Sequence, residues 1–203
     1  MRKKTELLLK RWFDIVVSLL LLILLFPLFM MIALLIKLDS PGNYLFIQTR
    51  VGKMGKEFKI YKFRTMLQDT SVNYQYEINT ECIDDFIFQH KDDNRITRIG
   101  RFLRKTSLDE LPQLVNVLIG NMSLVGPRPE IPEIVAKYPK RYKKRLIMTP
   151  GITGLAQING RSALTLSETI DYDLEYIDNF SLYEDFKILC STLVCVLMRD
   201  NAY

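Results

Sequence analysis

The chain has 203 residues, 48% of them hydrophobic and 25% charged, with a formal net charge of +5. That length favours one domain, and a normal-to-high apolar fraction with only 9 glycines and 8 prolines excludes a disordered or collagen-like chain. The charge is unevenly spread: residues 1–64 carry 12 Lys/Arg against 4 Asp/Glu, whereas residues 65–203 carry 16 against 19. The N-terminal third is therefore expected to lie against something anionic, and the apolar run inside it makes a phospholipid membrane a better partner than nucleic acid. Cys82, Cys190 and Cys195 lack C-x-x-C spacing and His90 is the only histidine, which leaves almost no material for a zinc site or a Cys/His dyad. Cys190 and Cys195 read as small fillers in an apolar segment.

From Ile15 to Ile36 the chain runs for 22 residues without a charge, enough helix to cross a hydrocarbon core of about 30 Å. The run is too long for a secretory signal, and the following Lys37-Leu-Asp-Ser-Pro-Gly42 lacks a small-x-small cleavage site. Both flanks are basic, with Arg2, Lys3, Lys4, Lys10 and Arg11 before the run and Lys37, Arg50, Lys53, Lys56, Lys59, Lys62 and Arg64 after it. Two positive flanks fit best if both ends stay on the cytoplasmic face. Pro27 removes a backbone donor and divides the run into halves of roughly 18 Å and 14 Å at the standard helical rise, neither of which crosses alone. The sequence thus favours a kinked, re-entrant helix dipping into one leaflet over a kinked spanning one.

After the turn signal Asp39-Ser-Pro-Gly-Asn43, Tyr44–Gln48 and Glu57–Arg64 read as the strands of a small β-hairpin joined by a loop at 51–55. Residues 68–95 are polar and aperiodic and read as a surface excursion. Helical patterning resumes near Ile99 and again over Pro112–Ile119, where Gly120-Asn121 supplies a stop. Pro- and Gly-rich loops are expected at 126–132 and 149–154, and a last helix over about Leu182–Met198 with Ser181 as its cap. Its apolar stripe suits the core or the bilayer surface. Lys137–Arg145 holds six basic residues and two tyrosines, which we read as a solvated helical face or a contact with anionic headgroups. The fold class is α+β, mainly helical.

Chemistry concentrates in Arg104-Lys-Thr-Ser-Leu-Asp-Glu-Leu-Pro-Gln113. Pro112 suits a first helical position and biases Leu111 away from the α region, which leaves Asp109 and Glu110 at a helix mouth. A capping box of Ser107 and Glu110 leaves them at the same mouth. In isolation such carboxylates complement the helix dipole. Here Arg104 and Lys105 lie just upstream, and a helix N-terminus with nearby Arg suits phosphate, while adjacent carboxylates suit Mg²⁺. In Gly126-Pro-Arg-Pro129 two prolines fix the backbone around Arg128, as bidentate phosphate recognition requires. Pro150-Gly-Ile-Thr-Gly154 and Gln157-Ile-Asn-Gly-Arg161 add small residues that permit close approach and polar side chains suited to a nucleotide or sugar.

The order KFRTM (62–66), RKTSLDELPQL (104–114), NMSLVGPRPE (121–130), PGITGLAQINGR (150–161) and DYDLEYIDNFSL (171–182), behind a basic apolar N-terminus with a central proline, closely resembles the small monotopic phosphoglycosyl transferases. The resemblance spans nearly the whole chain except about 68–95. It implies a re-entrant membrane helix within residues 1–38 and a catalytic domain with interfacial helices over 39–203, at the cytoplasmic face of the bacterial inner membrane. It implies transfer of a sugar 1-phosphate from a UDP-sugar to a polyprenyl (undecaprenyl) phosphate with release of UMP, the first membrane step of glycoconjugate or polysaccharide synthesis. By the same resemblance Asp109 is the nucleophile that forms a phospho-aspartate, Glu110 assists it, and both hold Mg²⁺. Lys62, Arg64, Arg104, Arg128, Gln157 and Arg161 are then expected at the substrates. A carboxylate nucleophile that divides phosphoryl transfer into two displacements agrees with the residues themselves. Two positions depart from the usual pattern: Phe26 stands where many members have Ser before the proline, and Thr149 where many have a basic residue. The same residues would also serve a membrane-bound hydrolase of nucleotide sugars or lipid diphosphates, or a non-catalytic scaffold for lipid intermediates. Apolar terminal segments are compatible with a homodimer.

Overall fold

The long apolar run forms two helices, α1 (Arg2–Leu24) and α2 (Phe26–Asp39), bent by 61° at a break that falls on Leu25, two residues before Pro27. Pro27 has no N–H to give, and the ladder is continued around it by Leu25 N to Leu21 O and Phe29 N to Leu25 O, each 2.9 Å. The bend therefore survives the Phe at position 26. No single helix among the described residues is long and apolar enough to cross a membrane, although the bent pair qualifies by length and composition. This computed structural model describes residues 2–67, 84, 93–160 and 163–198; most of the 68–95 excursion lies outside them.

α1 carries opposite characters on its two sides. Trp12, Phe13, Val16, Leu20, Ile23 and Leu24 are exposed, whereas Lys10, Asp14 and Ser18, one turn apart, are buried against the rest of the protein. On α2, Phe26, Met30, Met31, Leu34 and Leu38 are exposed, while Ile32 and Ile36 pack with Phe63 and Leu103. Such a broad exposed apolar surface on one pair of helices is a contact surface for lipid or protein. Lys10 and Arg11, counted above among the flanking basic charges, face inward instead. Lys10 pairs with Asp185 at 2.6 Å, and Arg11 donates to the carbonyls of Val117 and Leu118 at 2.6 and 2.9 Å.

The hairpin forms as expected, with β1 (Leu45–Val51) antiparallel to β2 (Glu57–Phe63) and Phe46 opposite Lys62. α3 (Arg98–Thr106) is capped by Thr97, whose hydroxyl accepts from Gly100 N at 2.9 Å, and by Asp39, which accepts from Ile99 N at 3.1 Å. Gly100 lets α3 press onto the backbone of Thr65: a Cβ there would sit 2.0 Å from Thr65 O. Gly100→Ala is therefore expected to force α3 and the Thr65 strand end apart, at a cost of about 1–3 kcal/mol in denaturant unfolding.

Next come a 3-10 turn (Leu108–Glu110) and α4 (Gln113–Ile119), ended by Gly120 in the left-handed region at φ 93°. Leu111, expected outside the α region, is helical (φ −53°, ψ −37°), because the turn runs almost directly into α4. Ser107 does not form a capping box; it sits at φ 56° as the left-handed end of α3, with no side-chain cap bond. The core of the domain lies where α4, β2 and the later helices meet, around Ile60, Leu114, Val117, Met122 and Ile188.

β3 (Ser123–Val125) and β4 (Gly151–Thr153) pair in parallel, a second small sheet in segments where the sequence suggests mainly loops. Three backbone-close glycines make it possible: a Cβ on Gly126, Gly151 or Gly154 would fall 2.1–2.4 Å from a backbone atom of the facing segment. α5 (Pro132–Ala136), α6 (Lys140–Lys143), α7 (Leu155–Asn159), α8 (Leu166–Asp178) and α9 (Leu182–Met198) complete the domain. α9 starts where expected, with Ser181 Oγ accepting from Glu184 N at 3.2 Å. α8 has no counterpart in the sequence reading; Thr165 and Glu168 give it a complete capping box.

Candidate active site

The dyad is placed by two neighbours. β2 brings Lys62 beside the 3-10 turn, and α4 is bound to β2 through Asn116, whose side chain accepts from Tyr61 N at 3.1 Å and donates to Lys59 O at 2.7 Å. One buried amide thereby satisfies the outer edge of a two-stranded ribbon and sets the helix against it. Lys62 Nζ then donates to Glu110 Oε1 at 2.8 Å. Arg128, carried by the loop after β3, donates to the same oxygen at 3.0 Å.

Asp109 behaves differently. Its carboxylate is half-buried and makes no hydrogen bond to any described residue, although Lys62, Arg104 and Arg128 act on it through space. Burial and the adjacent Glu110 push the Asp109 carboxyl up to about 6, against the pull of those three cations. For Glu110, burial also acts upward, but Arg128 and Lys62 outweigh it and hold that carboxyl well below the usual carboxylate range. Burial pushes the Lys62 ammonium down, opposed by Glu110. The pair is thus divided into a member held toward its ionised form by Arg128 and Lys62 and a neighbour whose oxygens bond to no described residue.

Arg104 Nε donates to Thr65 Oγ1 at 2.9 Å, which aims the guanidinium while its other nitrogens bond to no described residue. Arg64, expected at a substrate, lies elsewhere. Its guanidinium binds the carbonyls of Pro41, Ser40 and Ile36 and the Ser40 hydroxyl, and so closes the C-terminus of α2. Arg64→Met is expected to lower stability by about 2 kcal/mol in denaturant unfolding, as the loss of charged hydrogen bonds to buried carbonyls requires. Gln157 sits against Gly154, with both polar amide atoms buried and no hydrogen-bond partner among the described residues. Gly154 in turn packs on the carbonyl of Gly126, which opens the Arg128 loop. Arg161 lies outside the described residues.

Sequence reasoning missed the residues that hold the Arg128 loop. Arg50 donates to Pro129 O at 3.2 Å and pairs with buried Glu130 at 3.4 Å, and Val51 N donates to Glu130 O at 2.8 Å. Burial pushes Glu130 up, with Arg50, Arg145 and Arg128 opposing. Arg145, read above as part of a solvated basic face, is buried: it donates to Arg128 O at 2.8 Å and faces Asp173 at 2.5 Å. No sequence signal distinguishes it from its exposed neighbours in KYPKRYKKR.

A divalent cation fits the dyad. Both Asp109 oxygens and Glu110 Oε2 bond to no described residue, and no described cluster offers three or more His, Cys, Asp or Glu side chains. Two carboxylates completed by phosphate oxygens and water is the habit of Mg²⁺.

A family model described as bacterial sugar transferase matches residues 5–199. The chain belongs to the bacterial sugar transferase family. It is 44% identical to the exopolysaccharide production protein PSS of Rhizobium leguminosarum bv. phaseoli, over 98% of this chain and 100% of that one. It is 42% identical to a UDP-glucose:undecaprenyl-phosphate glucose-1-phosphate transferase of Caulobacter vibrioides, over 96% of this chain and 72% of that one. Identity to an undecaprenyl-phosphate galactose phosphotransferase of Salmonella typhimurium is 42%, over 99% of this chain but 43% of that protein. The chain thus spans less than half the length of some curated relatives it matches.

Proposed function

We propose that this sugar transferase moves a sugar 1-phosphate from a UDP-sugar to undecaprenyl phosphate through a phosphorylated Asp109. The observation that carries the reading is the asymmetry of the dyad: Glu110 is held by Lys62 and Arg128, while the Asp109 carboxylate beside it has no hydrogen bond to a described residue. An Asp109 oxygen attacks the phosphorus that bears the sugar, and the bond to the nucleoside phosphate breaks, releasing UMP. A phosphate oxygen of the lipid then attacks the same phosphorus and frees Asp109, so that the product is a polyprenyl diphosphate sugar. Arg128 and Arg104 bind the phosphate oxygens, Lys62 keeps Glu110 ionised, and Gln157 supplies an amide to the donor. Mg²⁺ held by Asp109 and Glu110 would neutralise charge on the diphosphate. The exposed apolar faces of α1 and α2 lie in the cytoplasmic leaflet as a re-entrant pair, which sets the site at headgroup depth where a lipid phosphate meets a water-soluble donor.

The test is UMP release by the detergent-solubilised protein with Mg²⁺ and a panel of UDP-sugars, with and without undecaprenyl phosphate. Sustained release that requires the lipid and yields a lipid-linked sugar is the expected result, with no more than one equivalent of UMP per protein released in its absence. Sustained release without lipid would identify a hydrolase instead.

A further inference from the structure

α1 grips the strand that leads into the active-site loop. Asp14 accepts from Leu124 N at 3.1 Å and from Ser123 Oγ at 2.7 Å, and Lys10 donates to Val125 O at 2.9 Å. Lys10 is also paired with Asp185 at 2.6 Å, and Tyr176 closes the cluster by donating to Asp185 Oδ1 at 2.7 Å. All five of these side chains are buried, and the contacts of Lys10 and Asp14 link positions more than a hundred residues apart in sequence. Asp14 and Lys10 thus bind the backbone of β3 along its length. Three residues after Val125 comes Arg128, in a stretch whose two prolines transmit displacement rather than absorb it. At its far end Arg128 meets Glu110.

We propose that Lys10 and Asp14 are positioning residues for the active site: the polar stripe of the membrane-facing helix fixes β3 and through it the placement of Arg128 on Glu110. The helix is then part of the catalytic apparatus as well as its anchor, and its seating in the bilayer is felt at the phosphate-binding arginine. This inference rests on the proposed function for its kinetic consequence and for the bilayer contact of α1; the mechanical link from α1 to Arg128 stands apart from both.

The test uses the full chain in lipid nanodiscs with Asp14→Asn, Lys10→Met and Ser18→Ala. Ser18 is the control, since its hydroxyl is on the same stripe, fully buried and without a hydrogen-bond partner among the described residues. Asp14→Asn and Lys10→Met are each expected to raise the donor KM and lower kcat/KM about tenfold, and that loss is expected to vanish in an Arg128→Ala background. Ser18→Ala is expected to match the parent protein. A merely structural role would lower kcat at constant KM by reducing the folded fraction, and would add to Arg128→Ala; either outcome overturns the proposal. Amide hydrogen exchange at Arg128 and Glu130, which Asp14 does not touch, reads the link without turnover. It is expected to quicken in Asp14→Asn, and unchanged exchange there overturns the proposal whether or not the parent protein releases UMP. An inactive parent protein with quickened exchange overturns the transferase reading alone.

Discussion

Asp109→Asn is expected to lower turnover by about 10⁴-fold or more, the usual cost of removing a covalent nucleophile. The substitution keeps the shape of the side chain, and because Asp109 has no hydrogen bond to a described residue it disturbs little of the fold. The carboxylate that would attack phosphorus and share the metal becomes a neutral amide. Single-turnover mixing with a UDP-sugar and no acceptor should trap the sugar phosphate on the parent protein, visible as a mass increase, and leave Asp109→Asn unlabelled. A variant that kept normal transfer would sink the mechanism. The proposed attack needs Asp109 ionised, so the metal-free protein's capacity for it is expected to fall as pH falls through about 6. Removing Lys62 or Arg128 takes away an opposing cation and moves that midpoint to higher pH. The sign for stability is the reverse: a folded-state pKa raised above 3.8 means the folded protein holds this proton more tightly, so the contribution favours folding at low pH. It is lost as pH rises from about 4 through about 6.

Several local signals reappear in the structure, although Leu111 is helical and Ser107 forms no capping box. Pro27 breaks the apolar run because a missing N–H acts within one turn, Gly120 ends α4 because a left-handed terminus favours a residue without Cβ, and Ser181 caps α9 with its own hydroxyl. Asp109, Glu110 and Arg128 stand out in the sequence because their neighbours in the chain are unusual, and the structure brings Arg128 onto Glu110. Arg64, expected at a substrate, is placed elsewhere for the converse reason: it stands in KFRTM two residues from Lys62, where strand alternation would put both on one face, but β2 ends at Phe63 and the next residue is aimed by contacts with Ser40 and Pro41 that no local pattern encodes. Lys10 shows the same limit. As a charge in a basic segment it reads as a flank, and only the approach of Asp185 and Val125, far along the chain, turns it inward. Asn116 and Glu130 carry no signal of their own, since each acquires its role from a partner strand.

Arg145→Met is expected to destabilise the protein by about 3–5 kcal/mol, because it leaves the Asp173 carboxylate buried without its cation. The side chains of Arg145 and Asp173 are 2% and 1% exposed, and Tyr138 Oη takes a further guanidinium N–H at 2.7 Å, so water has no route to replace the lost charge. Burial already pushes the Asp173 carboxyl up, with Arg145 opposing, so the variant is expected to keep that proton into the neutral range. Removing both charges is a different experiment. Arg145→Met combined with Asp173→Leu replaces a buried pair with apolar groups, and most of the lost stability should return, as read by denaturant unfolding in detergent. Function is expected not to follow. Arg145 also donates to the carbonyl of Arg128, and no apolar side chain restores that bond. The doubly substituted protein should therefore unfold near the parent's midpoint yet show a raised donor KM. If stability and KM recovered together, the Arg145 contact with the loop would have no part in holding Arg128. If neither recovered, the single substitution would be acting through something other than the stranded charge on Asp173.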